Sequence, residues 1–81
     1  MSIKKEKIVG DLILNEYAST NLKSSEYNTI TKDLLVEFTK GGKYTYNKVP
    51  IDIFTKMRTA ESQGSYFAKN IAKNYKYKKM S

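Results

Sequence analysis

The sequence predicts a small α+β domain: an antiparallel β-meander of about three strands with two C-terminal helices packed on one face. Three observations point there. The chain has 81 residues, too few for two hydrophobic cores when a domain takes roughly 100–200. Runs rich in aliphatic, β-branched and aromatic residues flank a Gly-Gly pair in "LLVEFTKGGKYTYN", the composition of two strands joined by a tight reversal. The only proline, Pro50, then opens a stretch whose apolar residues recur every three or four positions, the period of an amphipathic helix.

Residues 1–18 read as an N-terminal extension that is helix or strand. In "IVGDLILNEY" the residues Ile8, Val9, Leu12, Ile13 and Tyr17 share one helical face and favour a helix over residues 8–17, while Gly10 inside the pattern keeps a strand reading open. Residues 19–27 suit a strand, "TITKD" a turn and "LLVEFTK" a second strand. Glycine takes positive φ without steric cost, so "KGGK" is the reversal between Val36–Lys40 and Lys43–Asn47. The spacing of Tyr44 and Tyr46 puts both rings on one sheet face. Pro50 suits a helix start, and Asp52 complements the positive end of the helix dipole. Ile51, Ile53, Phe54, Met57 and Ala60 form the inward face of a helix over residues 51–60. After "ESQGSY", capped by Ser62 or Ser65, a second helix over residues 64–75 carries Phe67, Ala68, Ile71, Ala72 and Tyr75 as its apolar stripe. Lys69, Lys73 and Lys76 fall on its other side, and residues 77–81 read as a basic tail that continues this ridge through Lys78 and Lys79.

Composition narrows function. The chain has no cysteine and no histidine, so it lacks disulfides, thiolate metal sites and the commonest general base near neutral pH. The eight carboxylates show no close pair and no metal-loop spacing. Asp33 suits a turn. Neither a cofactor motif nor a catalytic constellation is present, and the expectation is a non-enzyme without cofactor or metal. No apolar run approaches the ~20 residues of a membrane-spanning helix, and the N-terminus lacks a signal-peptide core, which predicts a cytoplasmic protein. Fifteen Lys and Arg against eight Asp and Glu give a formal charge of +7, a balance that draws polyanions. Every cation but Arg58 is lysine; lysine meets phosphates as a point charge and reads base edges poorly.

Two constellations are candidates for binding. Tyr44, Tyr46 and Tyr66 could stack on unpaired bases while Lys40, Lys43, Lys69, Lys73 and Lys76 engage phosphates. Ser62, Gly64 and Ser65 form a turn where backbone N–H groups could meet an anion. Each has a structural counterpart: a sheet backed by helices must bury one tyrosine-bearing face, lysine ridges are ordinary solvated surface, and glycine between helices serves as a C-cap.

Taken together, "STNLKSSEYN", "VEF", "GG", "Y-x-Y" at Tyr44 and Tyr46, "VP" at Val49-Pro50 and "A-x-S-x-G-x-YF" from Ala60 to Phe67, followed by Ile71 and Tyr75, resemble the KTSC domain. That family is named for its occurrence at the C-terminus of some lysyl-tRNA synthetases and also includes small free-standing bacterial and phage proteins. The resemblance covers residues 19–75 and delimits a KTSC-like domain over residues 19–76. It departs from the family's pattern at Glu26, where glycine is usual, and at Ala68, where asparagine is usual.

Charge, interleaved tyrosines and the resemblance together predict a nucleic-acid-binding module, with RNA or single strands favoured. The competing expectation is a small phage-type regulator or inhibitor that uses Ile8, Val9, Leu12 and Ile13 to dimerise or to grip a host protein. A third is capture of a small nucleotide at the 62–66 turn.

Overall fold

A computed structural model describes residues 3–17 and 21–80. Among them, six strands form one sheet in chain order, β1 (Ile3–Val9), β2 (Leu12–Tyr17), β3 (Leu22–Asn28), β4 (Leu34–Phe38), β5 (Lys43–Tyr46) and β6 (Tyr77–Lys79). Each is antiparallel to the next. The helix α1 (Ile51–Arg58) and the single turn α2 (Gln63–Tyr66) lie between β5 and β6 in the chain. The expected three-stranded meander is therefore corrected to six strands; the sheet dominates and the helices are short.

The additional strands lie at the two ends of the sequence. Residues 8–17 do not form a helix: Gly10 and Asp11 turn β1 onto β2, with Gly10 at φ 59°. Strand periodicity explains the outcome, because Ile13, Asn15 and Tyr17 are buried while Glu16 between them is exposed. At the other end, β6 is exposed along its length and is held by backbone pairing to β5. Asn47 donates its amide to the Lys76 carbonyl at 2.9 Å, and Met80 donates to the Lys43 carbonyl at 2.7 Å. An edge strand of this kind needs no apolar alternation, so its lysines read as a tail. The described parts of residues 1–18 and 77–81 thus belong to the same sheet as the rest. Ser19, the 18/19 boundary and Ser81 lie outside the described residues.

One face of the sheet carries the core, built on Leu22, Tyr27, Leu34, Val36, Val49, Phe54, Met57 and Ile71. In β3 the buried residues Leu22, Ser25 and Tyr27 break strict alternation, and the register shift between Leu22 and Ser24 absorbs the extra residue. Tyr27 ties sheet to helix. Its ring lies parallel to Phe54 at 4.5 Å between centroids, and its hydroxyl donates to the Val49 carbonyl at 2.6 Å. This bond fixes the "VP" segment from which α1 starts.

Helix α1 ends earlier than the expected residue 60, with Thr59 as C-cap. Phe54 and Met57 face inward, whereas Ile51 is half exposed. The expected continuous helix over residues 64–75 is corrected to α2 followed by a π-helical turn over Phe67–Ile71. Ser62 caps α2, its Oγ accepting from the Ser65 amide at 3.3 Å. The wider turn is closed by Ala72 donating to the Phe67 carbonyl at 2.9 Å, and it buries both Phe67 and Ile71.

Candidate functional site

The strands β4, β5 and β6 offer their inner face to α2 and the π turn, and between them runs an open groove of about 620 Å³. Phe38, Tyr44, Tyr46 and Tyr77 form its sheet wall, and Gly64, Phe67, Ala68 and Ala72 its helix wall. Asn21, Thr39 and Lys40 line the end of the groove near the β4–β5 reversal. That reversal depends on Gly41 and Gly42, at φ 97° and 94°, values that residues with a Cβ rarely adopt. Phe38 and Gly42 close it with an amide-to-carbonyl bond of 3.1 Å.

Register explains why the rings converge. Tyr46 pairs with Leu34 on one side and Tyr77 on the other, and Tyr44 pairs with Val36 and Lys79, so these side chains share the inner face. Phe38 meets Tyr44 edge to face at 5.6 Å and Phe67 at 5.5 Å. Tyr46 meets Phe67 at 5.1 Å and Tyr77 at 5.4 Å, and Tyr44 meets Tyr77 at 5.6 Å. Burial pushes the Tyr46 phenol above its ordinary pKa, and the neighbouring phenols of Tyr77 and Tyr44 push it the same way. The groove is aromatic and uncharged at neutral pH apart from Lys40.

The structure brings Lys40, Tyr44, Tyr46 and Gly64 of the expected residues into this one groove. Lys73 and Lys76 flank it, lining a shallow hollow with Tyr77. Others are elsewhere. Lys43 pairs with Glu37 in the register and points to the opposite, outer face of the sheet. Tyr66 is half buried against the core, and Lys69 is exposed on the π turn. Ser62 and Ser65 are exposed and bonded to each other, while Gly64 is buried in the groove wall, so the turn spends its Ser65 amide internally. Tyr27 is wholly buried and takes no part in the groove.

Sequence reasoning missed Phe38, Phe67 and above all Tyr77 as groove residues. Tyr77 sits on β6 opposite Tyr46, but in the lysine-rich run "NYKYKKM" no apolar alternation accompanies it, so the sequence carries no burial signal there.

The outer sheet face has a different character. Glu16, Glu26 and Glu37 occupy its central strands, Leu14 and Leu35 lie among them, and Lys5, Lys7, Lys43 and Lys78 stand on the flanking strands. Three of the eight carboxylates gather there, interspersed with these lysines, and Lys23 pairs with Glu37 at 3.9 Å. The lining of the groove includes no carboxylate.

On the inner face near β1, Glu6 accepts from Asn15 at 2.8 Å and from the Arg58 guanidinium at 2.5 Å. These contacts, Asn15 first, hold the Glu6 carboxyl below its usual pKa. The ion pair fastens the edge strand to α1. Among the described residues no group of three His, Cys, Asp or Glu side chains could hold a metal ion, and no helix is long and apolar enough to cross a membrane.

Comparison with known proteins adds a family. A family model described as the KTSC domain matches residues 18–75. Over 60 residues, 74% of this chain, the sequence is 37% identical to the lysine–tRNA ligases of Trichormus variabilis and of a Nostoc species. The match spans 11% of each ligase. The crystal structure of a KTSC domain protein from Yersinia pestis superposes with a TM-score of 0.81 over 86% of this chain and 99% of that one. Its identity is 23%, so that likeness speaks for the fold.

Proposed function

The chain belongs to the KTSC domain family, and from that premise we propose that it is a non-catalytic module that binds nucleic acid, single-stranded RNA before duplex, in the groove between β4–β6 and the α2 segment. The observation that carries this reading is the placement of Tyr44 and Tyr77 on one face with Lys40, Lys73 and Lys76 around them. Aromatic rings take unpaired bases of any sequence, and lysines follow the backbone. Duplexes hide the faces of their bases, so a ring platform selects single strands. The family link supports RNA, since the ligases sharing this domain are named for tRNA. On this reading the domain works in the cytoplasm and needs no cofactor.

Anisotropy titration with a single-stranded RNA dodecamer, duplex RNA and duplex DNA at two salt concentrations tests it. Alanine at Lys40 and Lys76 should weaken single-strand binding and lower the salt slope by about 0.7 for each phosphate contact removed. Lys43→Ala, on the far face, should leave both unchanged. Equal losses from Lys43 and Lys76 would sink the proposal.

A second reading, a regulator that grips a host protein, draws on a different surface. Ile8 and Val9 at the β1–β2 hairpin are 66% and 48% exposed, and Ile30 in the β3–β4 loop is 70% exposed. The Thr29 amide donates to the Asp11 carbonyl at 2.9 Å and brings the two loops together. Clusters of exposed aliphatics mark protein contacts. Ile8→Ser with Ile30→Ser would abolish such a contact and spare RNA binding.

A further inference from the structure

We propose that the groove takes one unpaired nucleotide, a flipped, overhanging or bulged base, rather than a run of stacked bases; this rests on the nucleic-acid reading above. A run needs a series of open ring faces. Here the rings are spent on one another: Tyr46 is 5% exposed and covered by Phe67, itself 4% exposed, and Phe38 packs against both Tyr44 and Phe67. At centroid separations of 5.1–5.6 Å neighbouring rings are in contact and admit no base between them.

Only Tyr77, 58% exposed, presents an open face. Tyr44 is half buried and stands at 62° to it, so a base lying flat on Tyr77 meets Tyr44 at an angle and cannot continue the stack onto it. One base is the capacity of this platform.

The opposite wall agrees. Gly64, Ala68 and Ala72, spaced four apart, face the sheet across the groove. Where larger side chains would fill the space, these small ones leave the groove open in front of the rings. Its volume, about 620 Å³, lies within the ~300–1,000 Å³ of pockets that enclose one small ligand. The backbone on either side of the inserted nucleotide then runs past Lys40 at one end and Lys73 and Lys76 at the other, with Lys79 beside Tyr44 in the register. These cations explain why a nucleotide within a chain is preferred to a free nucleobase.

The test is a series of RNA hairpins at physiological salt, identical except for a 3′ overhang of no, one, two, four or eight unpaired nucleotides, read by anisotropy competition against a single-stranded dodecamer. One unpaired nucleotide should recover affinity to within about threefold of the dodecamer, once the number of equivalent sites is divided out. Tyr77→Ala should lose roughly 5- to 150-fold, the value of one stacked base. Ala68→Leu, a substitution at an exposed position, should narrow the groove and weaken the overhang without changing the thermal midpoint. Affinity that climbs with each added nucleotide beyond the statistical factor would overturn the single-base inference and leave the RNA-binding reading standing. No binding by any member of the series, the dodecamer included, would overturn both.

Discussion

Replacing Tyr27 by phenylalanine removes one oxygen from the centre of the molecule. The ring remains, stacked on Phe54 at 4.5 Å, so apolar burial is almost unchanged. What disappears is the donor to the Val49 carbonyl, a 2.6 Å bond between residues that are both fully buried. An acceptor left without a partner in that position costs about 1–3 kcal/mol. For a domain of this size each kcal/mol lowers the thermal midpoint by roughly 4–8 °C, which puts the expected drop between about 4 and 24 °C. Calorimetry or thermal circular dichroism of wild type and variant reads it directly. The helix-bearing segment from Val49 onward should also exchange its amide hydrogens faster than the β2–β3 hairpin. A midpoint within about 2 °C of wild type, below even the smallest penalty expected, would refute the claim that this hydroxyl anchors α1 to the sheet.

Other predictions concern pH and backbone strain. Burial pushes the Tyr17 phenol up to about 12, against an ordinary value of 10.0. Its folded pKa exceeds its unfolded one, so the stabilisation is complete below pH 10 and is lost as pH rises towards 12, amounting to about 2–3 kcal/mol. Urea titrations at pH 8 and pH 11 should show a smaller loss in Tyr17→Phe than in wild type. The Glu6 carboxyl is held low by Asn15 and Arg58, so its contribution is present above the ordinary carboxylate pKa and lost as pH falls; Glu6→Gln should be less stable at pH 7 and less sensitive to acid. Lys48 is exposed and takes a φ of 56° outside any helix or strand. Lys48→Gly should therefore stabilise by about 0.5–1 kcal/mol in chemical denaturation, the left-handed cost of a lysine exceeding glycine's entropy cost.

Much of the middle of the fold was legible in the sequence. Gly41-Gly42 announced the β4–β5 reversal through a conformation that few other residues reach. Pro50 announced the helix start, and α1 begins at Ile51. The two edge strands, β1 and β6, were not legible, for one physical reason. Edge strands are held by backbone hydrogen bonds, and β6 hides none of its side chains, so hydrophobic periodicity has nothing to record. In β1 the residues Lys5, Lys7 and Val9 face outward on a sheet face that no helix covers. The candidate site was half legible. Tyr44 and Tyr46 were placed on the correct strand, but their alternation also sends Lys43 to the other face, a consequence of period two that a basic, tyrosine-rich stretch conceals. Tyr77 reached the site only through pairing across about thirty residues of sequence, a long-range event that local propensity does not encode.

The central claim is that RNA occupies the inner groove. The most direct measurement is a titration of single-stranded RNA into the carbon-13-labelled protein, following aromatic and methyl NMR resonances. The account predicts shifts at Tyr77, Tyr44 and Ala68, with Leu14 and Leu35 on the outer face and Ile8 and Ile30 at the loop end unmoved. Shifts confined to the outer face or to the Ile8–Ile30 end would contradict it.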